Sequence, residues 1–360
     1  MLKGLTRRSL LSLLPASLVL PASDLPQKRR RSLPQVGEFV RLIDPLTENI
    51  VVRLTNPNSE SILPAPISRF ISARERFLVF SSNRFGPLAP WEADLRTGRS
   101  RPLGKAKDLV PRSLCLDSRE RILYLLDGKT VKEITLSNLK DRTVTEDAAA
   151  FALEGRSSQL LVLKGSQLIR LGDKKVIADG LTGPEISVRP SGEGCFFERA
   201  SSPGHRELWY VPFAASGESK PVLLAKGDVW NPIWNPNGQS LLFLRQTEVN
   251  GVRIPEIHEV LPETAVERTV ERTSQFAAFA PNGDGSVFVG ASRSKAQPAI
   301  DLLLRFPPRE LTLCEHRATR PAAVSPVFSP DSRRVYFQSD REGKSALYAV
   351  NVERLVEPTL

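Results

Sequence analysis

Residues 325–352 read SPVFSPDSRRVYFQSDREGKSALYAVNV. A polar turn, Pro330-Asp331-Ser332-Arg333, separates the apolar pair Val327-Phe328 from the alternating run Val335-Tyr336-Phe337. A further run, Ala346-Leu347-Tyr348-Ala349-Val350, follows after a Gly-containing turn. This is the pattern of short strands joined by tight turns. A lone sheet of that size is marginal in water, so it must pack against units of its own kind.

Such units exist. The same turn and strand recur as Asn235-Pro236-Asn237-Gly238-Gln239-Ser240-Leu241-Leu242-Phe243 and as Pro281-Asn282-Gly283-Asp284-Gly285-Ser286-Val287-Phe288-Val289. Looser copies centre on Leu78, Leu123, Leu161 and Phe196. With Leu242, Val287 and Tyr336 these make seven units, spaced by 45, 38, 35, 46, 45 and 49 residues. A period in the low forties with several strands per unit is the signature of a β-propeller. Each small twisted sheet then covers its neighbour's faces, and only short edges remain. The expected fold is all-β: a seven-bladed propeller of WD40-like repeats with little helix. The last unit supplies three strands, so residues 50–54 are expected to close the ring as its outer strand.

The amino terminus differs in kind. MLKGLTRRSLLSLLPASLVLPAS has a basic start, an apolar run over residues 10–20, then small residues. That is an export signal rather than a span. Thr6-Arg7-Arg8-Ser9-Leu10-Leu11 resembles a twin-arginine signal, so a periplasmic or otherwise exported location is expected. The expected organisation is a signal over residues 1–23, a basic linker over 24–36, one propeller over 37–355 and a tail over 356–360. Net charge is +10 over 360 residues, but residues 1–32 hold seven basic side chains against Asp24. The rest is near +4, no case for nucleic acid. A membrane enters this reading only through retention of the signal. Cys115, Cys195 and Cys314 are scattered, giving neither a disulfide framework nor a zinc spacing; buried free thiols are expected.

The blade motif Phe328-Ser329-Pro330-Asp331-Ser332 with Val335-Tyr336-Phe337-Gln338-Ser339-Asp340-Arg341-Glu342-Gly343-Lys344 resembles that of TolB-type propellers. More specifically, residues 37–352 are similar to the oligogalacturonate lyases. The likeness lies in Gly37-Glu38-Phe39-Val40-Arg41, Arg53-Leu54-Thr55-Asn56-Pro57, Phe80-Ser81-Ser82-Asn83-Arg84, Gly285-Ser286-Val287-Phe288-Val289-Gly290 and Leu313-Cys314-Glu315-His316. The resemblance implies β-elimination on uronides, a manganese ion held mainly by histidines of the later blades, and a further His and Arg moving the proton. At the matching positions this chain departs. Ala323 and Ser325 stand where the paired metal histidines belong, Arg320 near the glutamine ligand, Gln275 at a further metal histidine and Asn231 at the base. Glu207 stands at the arginine, with Arg206 one place away as a weak catalytic candidate. Methyl, hydroxyl and amide groups are weak partners for a transition metal, so no cofactor is expected, and manganese only if a lyase with a rebuilt site is present.

The three histidines read plainly: His205 as solvated, His258 as outward on its strand, His316 at a strand end. Loops entering the innermost strands are expected to line the channel mouth with Arg69, Arg112, Asn231, Gln275 and Arg320, and Trp230 beside them. Arginines pair with carboxylates and an indole can stack on a sugar. The reading is an exported, non-catalytic propeller whose partner is an acidic oligosaccharide or an envelope protein. Its alternatives are an active oligogalacturonide lyase and a TolB-like envelope interaction protein.

Overall fold

The computed structural model describes residues 37–352, apart from 156–158, 182–184, 203, 214–219 and 274. The signal, the linker and the tail lie outside the described residues. The described residues all belong to one compact unit.

Among the described residues the strands form seven antiparallel sheets arranged as blades. Blade 1 runs from Ser61–Ile62 to Ser100–Pro102, blade 2 from Cys115–Leu116 to Lys140–Thr145, and blade 3 from Ala150–Glu154 to Lys175–Ala178. Blade 4 runs from Ile186–Val188 to Val222–Gly227, blade 5 from Val229–Trp234 to Glu267–Arg272, and blade 6 from Phe276–Pro281 to Pro308–Glu315. First strands touch between blades 3 and 4, between 5 and 6 and between 6 and 7. The seven residues that mark the repeat all sit on second strands and are almost fully buried. The polar head of each turn has a structural task. Ser72, Asp117, Asn282 and Ser329 each accept backbone N–H bonds from the start of the following strand, satisfying donors that the turn leaves free. Apolar clusters lie between blades: Leu126, Val131, Leu160 and Val162 join blades 2 and 3, and Phe196, Trp234 and Phe243 join blades 4 and 5. Helix is limited, among the described residues, to the 3-10 turn Pro321–Ala323, and none is long and apolar enough to cross a membrane.

Closure goes further than the sequence indicates. Blade 7 runs from Val327–Phe328 to Ala346–Asn351; Ile50–Arg53 pairs with its last strand, Ala346–Asn351, as expected, and Val40–Ile43 then adds a fifth strand outside it. The hairpin between them also grips blade 6. Thr47 Oγ1 and Asn49 Nδ2 donate to the Leu313 carbonyl (2.7 and 2.8 Å), and Glu315 N donates to Asp44 Oδ2 (2.8 Å). On the other side, Glu38 N donates to the Gly98 carbonyl of blade 1 (2.8 Å). One amino-terminal segment therefore clasps blades 6, 7 and 1.

Candidate functional site

Four innermost strands are interrupted by proline. Blade 1 pairs at Ser61–Ile62 and again at the Ile71–Leu78 bridge, with Pro64 and Pro66 between. In blade 2, Pro111 separates the Leu109–Asp127 bridge from Cys115–Leu116. Blade 5 shifts register around Asn231-Pro232, and Ser325-Pro326 precedes the short strand of blade 7. Proline has no N–H to give the ladder, so these strands bulge. Asn231 (φ 53°) and Ser325 (φ 47°) take left-handed backbone there, a costly state for a residue with a Cβ.

The bulges shape a central cavity of about 1020 Å³. Its wall comes from blades 1, 2, 3, 4 and 7 and the loop before blade 7, and no described residue of blades 5 or 6 contributes. Asn231 explains the asymmetry. Its amide donates to the Phe279 carbonyl (2.9 Å) and accepts from the Phe279 N–H (3.4 Å), stitching blade 5 to blade 6. Trp230 Nε1 donates to the Ala277 carbonyl (2.9 Å), and the Arg293 guanidinium covers its ring at 4.8 Å. The turn Pro321–Ala323 packs on the inner strand of blade 6.

Of the expected mouth residues, the structure brings Arg69, Arg112 and Arg320 to the cavity wall; Trp230, Asn231 and Gln275 do not line it. Gln275 is exposed, and its carbonyl accepts from Arg293 N. Arg206 lies on a blade 4 hairpin, paired with Glu198 at 2.5 Å and outside the cavity. Arg69 and Arg320 are exposed, and neither has an ion-pair partner among the described residues. Arg112 is half-buried and reaches across the channel, where its Nη1 donates to Ser325 Oγ (3.0 Å) and its Nε lies 3.7 Å from the Glu185 carboxylate. The strained Ser325 thus holds an arginine.

Several wall residues were not foreseen. Gln338, buried on its strand, accepts from Leu63 N (2.7 Å) and donates to the Ala323 carbonyl (2.6 Å), bracing blade 7 against blade 1. Its signal was an amide on the strand face that also carries Arg334 and Tyr336. Asp340 takes bonds from Thr319 N and Oγ1. Burial works against its charge, but those bonds and nearby Arg320 hold its carboxyl below the usual range. His316 is fully buried: Nε2 donates to the Ser292 carbonyl (2.9 Å) and Nδ1 accepts from Ala318 N (3.0 Å). Those bonds require the neutral ring, and burial pushes its pKa down. It shapes the loop that carries Arg320. His258 corrects the sequence reading, since it is buried at 7% exposure between Glu256 (3.3 Å) and Glu267 (2.7 Å) in blade 5. Cys195 and Cys314 are buried, but Cys115 is half-buried on the cavity wall. Burial pushes the Cys115 thiol up to about 11, too high for a nucleophile at neutral pH.

No histidine lines the cavity, whose carboxylates are Glu60, Glu185 and Asp340. Among the described residues no three His, Cys, Asp or Glu side chains gather to hold an ion. Ser325 is engaged by Arg112, Asn231 by Phe279, and Arg320 would repel a cation. The donors present do not fit manganese.

Fold and site define a seven-bladed propeller with an off-centre cationic cavity. No protein-family model matches the chain, and no curated protein is significantly similar to it. Solved structures do match. An oligogalacturonate lyase in complex with manganese aligns with a TM-score of 0.71 and 17% identity, over 87% of this chain and 96% of that one. Oligogalacturonate lyase from Vibrio parahaemolyticus aligns with a TM-score of 0.71 and 16% identity, over 89% and 98%. Hydrazine synthase from Kuenenia stuttgartiensis aligns with a TM-score of 0.54 and 12% identity, over 79% and 94%. The chain has the fold of the oligogalacturonate lyases.

Proposed function

We propose that this chain is a non-catalytic, exported relative of the oligogalacturonate lyases that binds short acidic oligosaccharides in its central cavity. The observation that carries this reading is the convergence of Arg69, Arg112 and Arg320, from three places in the ring, on one cavity with no histidine on its wall. A guanidinium pairs with a uronate carboxylate in bidentate fashion. β-Elimination needs more: a charge sink for the carboxylate and a base for the adjacent carbon acid. The arginines can supply the sink, but the wall lacks an imidazole base.

Exposed Arg–carboxylate contacts are worth roughly 0–1 kcal/mol each. Affinity is therefore modest and falls as salt rises. The test is calorimetry with galacturonate oligomers and neutral oligomers of equal length, at low and moderate salt. Heat with the acidic oligomers only, reduced by salt and by Arg112→Ala, supports the reading. No heat, or equal heat with neutral oligomers, overturns it and leaves an envelope protein as the partner.

A further inference from the structure

The end of the propeller that carries the turns between first and second strands is electrically lopsided. In blades 1, 2 and 7 these turns contain Arg74-Glu75-Arg76, Arg119-Glu120-Arg121 and Arg333-Arg334. The corresponding turns of blades 5 and 6 read Asn237-Gly238-Gln239 and Gly283-Asp284-Gly285, without a cation, and in that of blade 4, Arg189-Pro190-Ser191-Gly192-Glu193, Arg189 is buried and paired with Glu263 at 2.5 Å. The basic turns form one continuous arc. Arg334 of blade 7 pairs with Glu75 of blade 1 at 2.7 Å, and Arg76 of blade 1 pairs with Glu120 of blade 2 at 3.5 Å. Glu75 and Glu120 are thereby spent inside the arc.

The neighbouring turn of blade 1 adds Arg96 and Arg99. It lies at the same end, because Leu95 N donates to the Arg76 carbonyl (2.9 Å). Arg74, Arg96, Arg99, Arg119 and Arg121 are all exposed, and none has an ion-pair partner among the described residues. Five unpaired guanidinium groups on one rim make a cationic surface.

A second observation points to what it meets. The chain enters the fold beside this arc. Glu38 N bonds to the Gly98 carbonyl, and a Cβ on Gly37 would stand 2.5 Å from the Thr97 carbonyl oxygen. The described chain thus begins at Gly37 beside the turn that bears Arg96 and Arg99, and the residues that precede it in sequence include basic clusters and the apolar run over 10–20. That apolar run is too short to span a bilayer, and stable membrane attachment takes two signals. The other end of the strands is unsuited to a flat surface, since it carries the long hairpins Gly194–Ser202 with His205–Pro212 and Leu241–Val249 with Val252–Val260.

We infer that the arc of Arg74, Arg96, Arg99, Arg119 and Arg121 docks the propeller on an anionic lipid surface, next to Gly37, where the described chain begins. Docking in this way leaves the cavity residues Asn83, Asp340 and Lys344 facing away from the bilayer, because they lie at the opposite ends of the same blades.

The test is flotation of the full chain with phosphatidylcholine vesicles and with vesicles enriched in phosphatidylglycerol. The comparison is a variant carrying Arg→Glu at the five arc positions, checked for an unchanged melt; an Arg→Gln set replaces it if that melt shifts. Because every protein keeps the leader, any difference belongs to the arc. Wild type should prefer the anionic vesicles, lose that preference as salt rises, and exceed the variant by at least about tenfold. Equal flotation of wild type and variant overturns the inference, as does indifference of wild type to lipid charge. Arc-dependent capture by polygalacturonate or DNA without vesicle binding overturns the lipid assignment.

Discussion

Asp44 is the pin of the amino-terminal clasp, and Asp44→Ala should loosen the ring. Asp44 is only 2% exposed. Its Oδ1 accepts from Leu46 N, Thr47 N and Thr47 Oγ1 at 3.1–3.2 Å, which shapes the hairpin turn. Its Oδ2 accepts from Glu315 N on blade 6 at 2.8 Å. Alanine leaves that N–H unpaired, and a hydrogen bond to a charged acceptor is worth about 1.5–3 kcal/mol. With the turn bonds lost as well, the expected cost is about 3 kcal/mol. A domain of about 300 residues has an unfolding entropy near 0.6 kcal/mol/K, so the melting temperature should drop by about 5 °C. Asp44→Asn keeps an acceptor and should cost about half as much. The assay is thermal melting by circular dichroism. A melting temperature within about 1 °C of wild type for Asp44→Ala would show that the clasp does not hold the ring.

Three further outcomes follow from the interior. Asn231→Gly keeps the left-handed backbone but removes both bonds to Phe279; it should cost about 1–3 kcal/mol in a denaturant titration, and no loss would mean that the amide does not join blades 5 and 6. Burial pushes the Asp301 carboxyl up to about 6 from its ordinary 3.8. Its contribution is fully present below the unfolded value and is lost as pH rises through about 6, so Asp301→Asn should stabilise the protein at pH 8 by up to about 3 kcal/mol and hardly at pH 4. Equal effects at both pH values would refute that. Elemental analysis of the dialysed protein should find no stoichiometric manganese, because the donors do not fit the ion; a near-equimolar content would overturn the reading of Ser325 and Asn231.

The seven blades were legible because turn chemistry and alternation recur at a fixed interval, and burial of one face fixes register. Ile50–Arg53 was legible for the same reason. Val40–Ile43 was not, because a strand on the outer edge is mostly exposed and shows no alternation. The arginines of the cavity could be placed by their position before inner strands. The exclusion of Trp230 and Asn231 could not, because it depends on where a bulged, proline-bearing strand turns its side chains. His258, alternating with Glu256, reads as an outward residue on a two-faced sheet. In a propeller that face meets the next blade, and Arg245 bridges Glu267 to the Lys226 carbonyl of blade 4. Polar pattern alone could not reveal that burial.

The central claim is binding without cleavage. The direct measurement is ultraviolet absorbance of unsaturated product from di- and trigalacturonate incubated with the protein, with and without added manganese, at concentrations where calorimetry shows the ligand bound. The account predicts a flat trace in both conditions. A steady rise in absorbance above a protein-free control, abolished by Arg112→Ala, would contradict it and establish a lyase whose base lies on this cavity wall.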